Sequence, residues 1–269
     1  MHNTSVRIWS SRAWPGAMVA AAQGGLLTKL SSCQGVGADR TISVLVSSDN
    51  VRQLMDSTRP GFIQSRVRCA GPAPTMQFHG RCDDATIRRA LQCERPDFSK
   101  GLSDLLPYAK PMMGPLVFDC HKAQDVLVLG LGGGTMPSFL ETKCPGSHVL
   151  AVDNNENVLK VARNYFGFQG EAMIDDIHSA LSKLSRLDKS FDAIVTDVGH
   201  NIRLNQEDLH NVVHLLKPNG VLMENLSTPS FAEEQVALFK DFLGDVSEEV
   251  SGQNHILLGR SSPSRLVKL

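Results

Sequence analysis

The sequence predicts an α/β fold in which a mostly parallel sheet is covered by helices on both faces. Two observations predict this class: a glycine-rich β-turn-α-β unit at residues 125–153, and the regular alternation of strand and helix patterns that follows it. A third observation is that acidic residues follow three successive strands. It indicates that a ligand binds at the carboxyl edge of the sheet.

The glycine-rich unit begins with residues 126–129, which are apolar throughout, as expected of a strand buried on both faces. The turn after it can bend sharply and leave amides bare, because it contains Gly130, Gly132, Gly133 and Gly134. Residues 136–140 have helical spacing, and the next strand, residues 148–152, runs into Asp153. Bare amides at a helix N-terminus suit a carboxylate, and an acid after the second strand suits ribose hydroxyls. The unit therefore predicts a nucleotide-like ligand, the alternative being a tight turn without one.

The second half of the chain repeats this alternation. Helical faces begin near residues 158, 177 and 209, and strand patterns occupy residues 172–174, 193–196 and 221–226. A last helix, residues 231–243, precedes two strands at residues 246–250 and 254–258 that we expect to pair antiparallel. Repeated β-α units of this kind predict a sheet with its ligand at the carboxyl ends of the strands.

Acidic residues follow three of these strands. They are Asp153 after the second strand, Asp175 and Asp176 after the third, and Asp197 after the fourth. A carboxylate after the third strand can accept from an adenine amine, and one after the fourth lies nearest the reacting end of the ligand. An aspartate before a helix can also be only an N-cap. The cap is the preferred interpretation of Asp175, and both interpretations stay open for Asp176.

The N-terminal part differs from the rest. Residues 1–40 contain no acid before Asp39 and predict a flexible extension, although their arginines among serines and alanines also resemble a mitochondrial transit peptide. Residues 41–118 predict a small β-rich and helical lid region, with strands at residues 41–46, 51–55 and 62–69 and helical turns across the mouth of the main domain. Tyr108 and Met112 or Met113 could touch a ligand there, and core packing is the preferred interpretation of each. Residues 119–269 are predicted to form the ligand-binding domain.

The composition limits the classes of binding partner and the cellular compartment that are expected for this protein. A formal net charge of −1 gives no electrostatic footprint for nucleic acid or an anionic membrane, and no apolar run is long enough to span a bilayer. The six cysteines have no zinc-like spacing, so no metal is implied, and they predict free thiols in a reducing compartment. This reasoning places the protein in the cytoplasm, with the mitochondrion as the alternative.

The spacing of the glycines distinguishes a dinucleotide from other nucleotide-like ligands. A dinucleotide fingerprint would place its third glycine at Thr135, whereas the looser G-x-G-x-G of Gly130, Gly132 and Gly134 resembles motif I of class I S-adenosylmethionine-dependent methyltransferases. Five runs in order, VLGLGGGTMPSFL, VLAVDNNENVLKVARNYFGF, MIDDIHSAL, FDAIVTDV and LLKPNGVLMENL, resemble the spermidine-synthase-like branch of that family. This branch includes the aminopropyltransferases and the eukaryotic elongation factor one-alpha lysine and N-terminal methyltransferases.

The resemblance covers roughly residues 118–260 and implies a Rossmann-like sheet of seven strands. It also implies that S-adenosyl-L-methionine is the cofactor, held by the motif I glycines, by Asp153 on the ribose and by Asp176 on the adenine. The adjoining residues Asn154 and Ile177, and Asp197 at the reacting end, complete the implied cofactor set. Synthases of this branch are commonly dimers, so the analogy suggests a homodimer.

Departures from the synthase pattern distinguish the two activities. Synthases carry an acid where this chain has Gly133, and a second acid three residues after the one matching Asp197, where this chain has His200. The synthase Y-Q-E that contacts the diamine would fall on residues 100–102, which are Lys-Gly-Leu. A dication requires several carboxylates, because an unpaired buried ammonium costs several kcal/mol. The pattern therefore favours methyl transfer over aminopropyl transfer.

Methyl transfer to an amine requires that the nitrogen be aligned with the methyl group and that the amine lose a proton. Asp197 and His200 are the candidate catalytic residues for that proton, although an ordinary loop histidine is the preferred interpretation of His200. The resemblance suggests an acceptor that is a lysine or an N-terminal amine of a protein. An aminopropyltransferase and a catalytically silent cofactor-binding homologue are the alternatives.

Overall fold

The computed structural model describes residues 31–34, 42–56, 62–75, 77–82, 84–199 and 202–261. They form two sheets. The first has five strands in the order β4-β3-β2-β1-β5, where β1 is Ser31–Gln34, β2 Ile42–Val46, β3 Val51–Asp56, β4 Ile63–Arg68 and β5 His79–Arg81. The second has seven strands in the order β11-β12-β10-β9-β6-β7-β8.

The seven-stranded sheet has a parallel core and an antiparallel edge. Its strands are β6 Asp125–Leu129, β7 His148–Asp153, β8 Glu171–Ile174, β9 Phe191–Thr196, β10 Leu216–Leu226, β11 Gly244–Ser251 and β12 Asn254–Arg260. Strands β6 to β10 pair in parallel, and the β11–β12 hairpin adds to β10 in antiparallel fashion. The predicted fold class and the closing antiparallel pair are both confirmed.

The helices connect and cover the strands. They are α1 Ala85–Leu91, α2 Ala109–Phe118, α3 Thr135–Lys143, α4 Glu156–Tyr165, α5 Ile177–Arg186, α6 Gln206–Leu215 and α7 Ala232–Phe242. Successive side chains of β6 enter different cores: Val126 and Val128 pack in one buried cluster, and Leu127 and Leu129 in another. This is why residues 126–129 are apolar throughout.

The five-stranded sheet shares a core with the larger one. Its residues Val44, Leu54 and Val67 belong to the same buried cluster as Met112 and Val126. Helix α2 therefore contributes to the core that the two sheets share, with Met112 and Met113 fully buried as predicted. The lid region and the larger sheet thus pack as a continuous body around the ligand-binding edge.

Strand β1 lies inside residues 1–40, the predicted flexible extension, and it pairs with both β2 and β5, so that prediction does not hold for residues 31–34. The rest of the extension lies outside the described residues. Both β1 and β5 are too short to show a periodic pattern in the sequence. Their extended conformation is therefore determined by pairing with neighbouring strands in the folded sheet. The cysteines are not free thiols either, because they pair as Cys33–Cys82, Cys69–Cys93 and Cys120–Cys144. The cytoplasmic assignment thereby loses its basis.

Asp175, which was expected to cap a helix, instead accepts hydrogen bonds from Lys183 Nζ at 2.6 Å and from the amide of Asp176. No helix of the described residues is long and apolar enough to cross a membrane. The same residues contain no group of three or more histidine, cysteine or acidic side chains that could hold a metal.

Candidate functional site

The glycine turn lies between β6 and α3, and two of its glycines are required by close contacts. Gly130 has a φ of 95°, and a Cβ there would clash with the carbonyl oxygen of Asp197 on the neighbouring strand. Gly134 has a φ of 68°, and a Cβ there would lie 2.8 Å from Phe168. Only glycine fits such positions without strain. The backbone of the turn can therefore approach a ligand at the sheet edge.

Strand β4 of the smaller sheet closes over this turn. The amide of Gly133 donates to Ser65 Oγ at 2.9 Å, so the two sheets are hydrogen-bonded at the site itself. A Cβ on Gly133 would lie 2.7 Å from Phe166 Cδ1 and 2.9 Å from Ser65 Cβ. The position where synthases carry an acid is therefore filled by neighbouring side chains in this protein.

Asp153 ends β7 and faces the turn. Its carboxylate accepts from the amide of Leu131 at 3.1 Å and from the amide of Asn155 at 2.9 Å. Burial raises the pKa of Asp153, and the amides of Asn155, Leu131 and Gly132 oppose that rise because they stabilise its charge. The acid is thereby held in a fixed orientation at the carboxyl edge of the sheet.

Asp176 both caps a helix and lines the site. Its Oδ1 accepts from the amides of His178 at 3.0 Å and Ser179 at 3.4 Å, which makes it the N-cap of α5. None of the described residues donates a hydrogen bond to Oδ2 in the structure. The two interpretations of Asp176 are therefore compatible, because one oxygen caps the helix and the other remains available at the cavity.

Asp197 follows β9 and is held by two donors. Tyr108 Oη donates to Asp197 Oδ2 at 2.9 Å, and Asn225 Nδ2 donates to Asp197 Oδ1 at 2.8 Å. The Tyr108 hydroxyl also lies 3.1 Å from the backbone oxygen of Gln64 on β4, so its single proton is shared between two acceptors. Burial raises the pKa of Asp197, and burial and this carboxylate together raise the pKa of Tyr108 well above its ordinary value. Sequence reasoning placed Tyr108 in the core and missed Asn225, which has no local motif.

These residues surround a cavity of about 680 Å³. Of the predicted site residues, Gly130, Gly132, Asp153, Asn154, Asp176, Ile177 and Asp197 line it. Gly134 lies behind the turn, against Phe168. His200, the second predicted catalytic residue, falls outside the described residues. Sequence reasoning missed the contributions of β4 and of the β11–β12 turn, residues 251–254, which also line the cavity.

Two buried polar atoms in the lining have no hydrogen-bond partner among the described residues. They are Thr135 Oγ1, at the start of α3, and Asn225 Oδ1, beside Asp197. A buried polar atom without a partner costs about 1–3 kcal/mol. A polar ligand that lay along the turn and reached Asp197 would satisfy both atoms, so the lining fits a ligand of nucleoside size with a polar tail.

A buried acid holds the loop that follows β9. Glu224, on β10 and 1% exposed, accepts from the amide of Leu204 at 3.1 Å and from Gln235 Nε2 at 2.8 Å, and Gln235 also donates to the Leu204 carbonyl. Burial raises the pKa of Glu224 from its ordinary 4.5 to about 7. The loop beside Asp197 is thus anchored by a carboxyl group that titrates near neutral pH.

This anchor predicts a pH-dependent stability. The unfolded chain releases the Glu224 proton near pH 4.5 and the folded protein keeps it to about pH 7, so stability falls across that window and levels off above it. The fall attributable to Glu224 is at most about 3 kcal/mol. We expect Glu224→Gln to flatten this part of the profile in urea unfolding at a series of pH values. Glu233→Gln, which changes an exposed acid in the first turn of α7, is the control and should leave the profile unchanged. Parallel profiles for wild type and Glu224→Gln would contradict the assignment.

Comparison with known proteins identifies the central part of the chain. Residues 126–220 match the family described as methyltransferase domain. The chain is 28% identical over 178 residues to a polyamine aminopropyltransferase of Vibrio vulnificus, covering 61% of this chain and 59% of that protein. It is 33% identical over 118 residues to the eEF1A lysine and N-terminal methyltransferase of Xenopus laevis, covering 38% of this chain and 17% of that protein. The chain therefore spans less than two thirds of either relative.

Two solved structures share the fold. Human methyltransferase-like protein 13, in complex with SAH, aligns with a TM-score of 0.54 at 23% identity, covering 61% of this chain and 88% of that one. A probable spermidine synthase from Corynebacterium glutamicum aligns with a TM-score of 0.59 at 16% identity, covering 85% of this chain and 80% of that one. Together these comparisons confirm the resemblance to the spermidine-synthase-like branch and the Rossmann-like fold.

Proposed function

We propose that this chain, in which residues 126–220 form a methyltransferase domain, transfers a methyl group from S-adenosylmethionine to an amine of a protein. The observation that carries the choice of methyl transfer is the single carboxylate at the reacting end of the cavity. Three acids line the cavity among the described residues, and Asp153 and Asp176 lie where ribose and adenine would bind. Asp197 alone remains for the acceptor.

A diamine acceptor fits this end of the cavity poorly. A diamine carries two ammonium groups, and burying the second one without a partner costs several kcal/mol. Residues 100–102, at the place of the synthase Y-Q-E, do not line the cavity. Gly133 has no room for the synthase acid, because Ser65 and Phe166 already occupy that space. The similarity to polyamine aminopropyltransferases keeps that activity as the second candidate.

The residues would hold the cofactor along the turn. Gly130 and Gly132 would receive the methionine part, Asp153 the ribose hydroxyls and Asp176 Oδ2 the adenine amine. When bound, the cofactor supplies an electrophilic methyl group on a sulfonium, so the protein has little covalent chemistry to perform. Asn225 Oδ1 and Asp197 would then orient the acceptor amine at the methyl group.

Asp197 would act as the general base that accepts a proton from the acceptor amine. An acceptor ammonium must lose one proton before its lone pair can attack, and the Asp197 carboxylate is placed to accept it. The nitrogen lone pair forms the new N–C bond while the C–S bond breaks, and that electron pair returns to sulfur to give S-adenosylhomocysteine. Burial strengthens Asp197 as a base because it raises the pKa of the carboxyl group.

One side chain can distinguish the two cofactors of this branch. Arg66, on β4 next to Ser65, is the one lysine or arginine among the described residues that line the cavity. S-adenosylmethionine has a carboxylate that its decarboxylated form lacks, and an arginine pairs well with a carboxylate. We therefore expect Arg66 to favour S-adenosylmethionine.

The test is calorimetric titration of the full chain with S-adenosylmethionine and, separately, with decarboxylated S-adenosylmethionine. We expect the wild type to bind the first at least tenfold more tightly. Asp153→Ala should weaken binding of both, because both carry the ribose, whereas Arg66→Gln should weaken only the first. A preference of the wild type for the decarboxylated form would restore the aminopropyltransferase. Binding of neither would indicate a catalytically silent protein.

The acceptor is the least constrained part of the proposal. The similarity to eEF1A lysine and N-terminal methyltransferases supports a protein amine as the acceptor. A homodimer, suggested by analogy with synthases, stays a prediction that sedimentation can test.

A further inference from the structure

All six cysteines of the chain are paired in the structure. Their Cα atoms are 4.8 Å apart in Cys33–Cys82, 5.6 Å in Cys69–Cys93 and 4.9 Å in Cys120–Cys144, within the range that a disulfide spans without backbone movement. Proteins of reducing compartments rarely contain structural disulfides, and a catalytic redox pair would account for two cysteines rather than six. A pairing that includes every cysteine indicates structural crosslinks.

The pair Cys69–Cys93 joins the end of β4, the strand that closes over the glycine turn, to the segment after α1, and that segment is hydrogen-bonded to the main domain. Cys69 directly follows β4, four residues after Ser65, whose hydroxyl bonds Gly133. The Cys93 amide donates to the carbonyl of Asn164 in α4, at 3.2 Å. Two further backbone bonds support the junction, from Ala70 to Arg95 at 2.9 Å and from Asp97 to Arg68 at 2.7 Å. This crosslink therefore holds β4 against the body of the protein.

The other two disulfides crosslink other parts of the structure. Cys120–Cys144 joins the end of α2 to the C-terminal cap of α3, so it ties the helix after Tyr108 to the helix that starts at the glycine turn. Cys33–Cys82 joins β1 to the residue after β5, and the carbonyl of Cys82 accepts from Tyr165 Oη at 2.7 Å. The crosslinks thus lie in the elements that position Ser65, Tyr108 and the glycine turn.

We propose that this protein folds and acts in an oxidising compartment, where three structural disulfides form and Cys69–Cys93 fastens β4 of the lid region over the glycine turn. Each disulfide forms when two thiols lose two protons and two electrons to a disulfide or quinone oxidant of that compartment. The inference goes beyond the proposed function and does not depend on it. If methyl transfer is also correct, the acceptor amine belongs to a protein of the same compartment.

The first test counts thiols in the full-length protein isolated from its own cells by rapid acid quenching. We expect iodoacetamide under denaturing conditions to label none of the six cysteines before reduction and all six after reduction with dithiothreitol, which gives each disulfide two electrons and two protons and closes into a ring. Six labelled cysteines before reduction would overturn the proposal. This readout needs neither cofactor nor acceptor, so it is independent of the enzymatic activity.

The second test asks whether the crosslinks hold the lid. We expect reduction to raise amide hydrogen exchange at least tenfold in β4 and in the glycine turn. The double variant Cys69→Ser/Cys93→Ser should reproduce that rise without reductant, while Cys33→Ser/Cys82→Ser, which removes a crosslink farther from the turn, should raise exchange mainly in β1 and β5. Equal exchange in oxidised and reduced protein would show that the disulfides do not fasten the lid.

Discussion

Replacing Asp197 by asparagine is expected to lower methyl transfer at least about 100-fold, the usual contribution of a positioned base. The variant removes the carboxylate that would take the acceptor proton. It also mismatches the hydrogen bonds, because Tyr108 and Asn225 both donate to residue 197 and an asparagine offers one acceptor atom. The measurement is formation of S-adenosylhomocysteine with a lysine-containing peptide whose N-terminus is free.

Tyr108→Phe is the matched control for this experiment. It removes one hydrogen bond to Asp197 and keeps the carboxylate, so we expect a loss of about tenfold, in line with the roughly 1.5 kcal/mol of one such bond. Cofactor binding measured in parallel should change less than tenfold in both variants. A full rate in Asp197→Asn would exclude the carboxylate as the base and direct attention to His200.

Replacing Gly133 by aspartate, the residue type of the synthases, is expected to abolish cofactor binding and to destabilise the protein by at least about 2 kcal/mol. The first side-chain atom alone would overlap Phe166 and Ser65, and overpacking of that kind costs about 1–3 kcal/mol. The carboxylate would add the cost of a buried charge. Urea unfolding and titration with both forms of the cofactor measure the two effects.

Alanine variants distinguish the effect of added side-chain volume at residue 133 from the effect of an added charge. Gly133→Ala keeps the overlap without the charge and should still destabilise the protein. Gly114→Ala lies in α2, where an added Cβ meets only Leu102 at 3.8 Å, so it should be neutral or slightly stabilising. If Gly133→Asp folded normally and bound decarboxylated S-adenosylmethionine, the argument against aminopropyl transfer would fail.

The sheet was predictable because its signals are local. Residues 126–129 are apolar on both faces, the glycines follow at once, and Asp153, Asp176 and Asp197 each stand at or just after the end of a strand. Strands β11 and β12 are separated by only two residues, Gly252 and Gln253. Each of these features depends on neighbours within about ten residues, and such patterns survive in a single sequence.

The missed features depend on contacts between distant residues. Ser65 reaches Gly133 across 68 positions, and Tyr108 reaches Asp197 across 89. Neither residue type at its position marks such a contact beforehand. The cysteine pairs are similar, because six cysteines allow fifteen complete pairings and none of their spacings has a recognisable pattern. Only the folded arrangement decides which side chains meet.

The hydrogen bond from Gly133 to Ser65 has a consequence for how this protein acquires its selectivity. The methyltransferase match ends at residue 220 and begins at residue 126, yet β4, Tyr108 and the hairpin turn at residues 251–254 all line the cavity. Under the proposed function, the matched segment supplies the glycine turn and the three acids of the cavity, while the flanking segments supply further walls around both the cofactor and the acceptor. Exchanging those flanks between relatives, with the glycine turn unchanged, would therefore test whether they set the choice of acceptor.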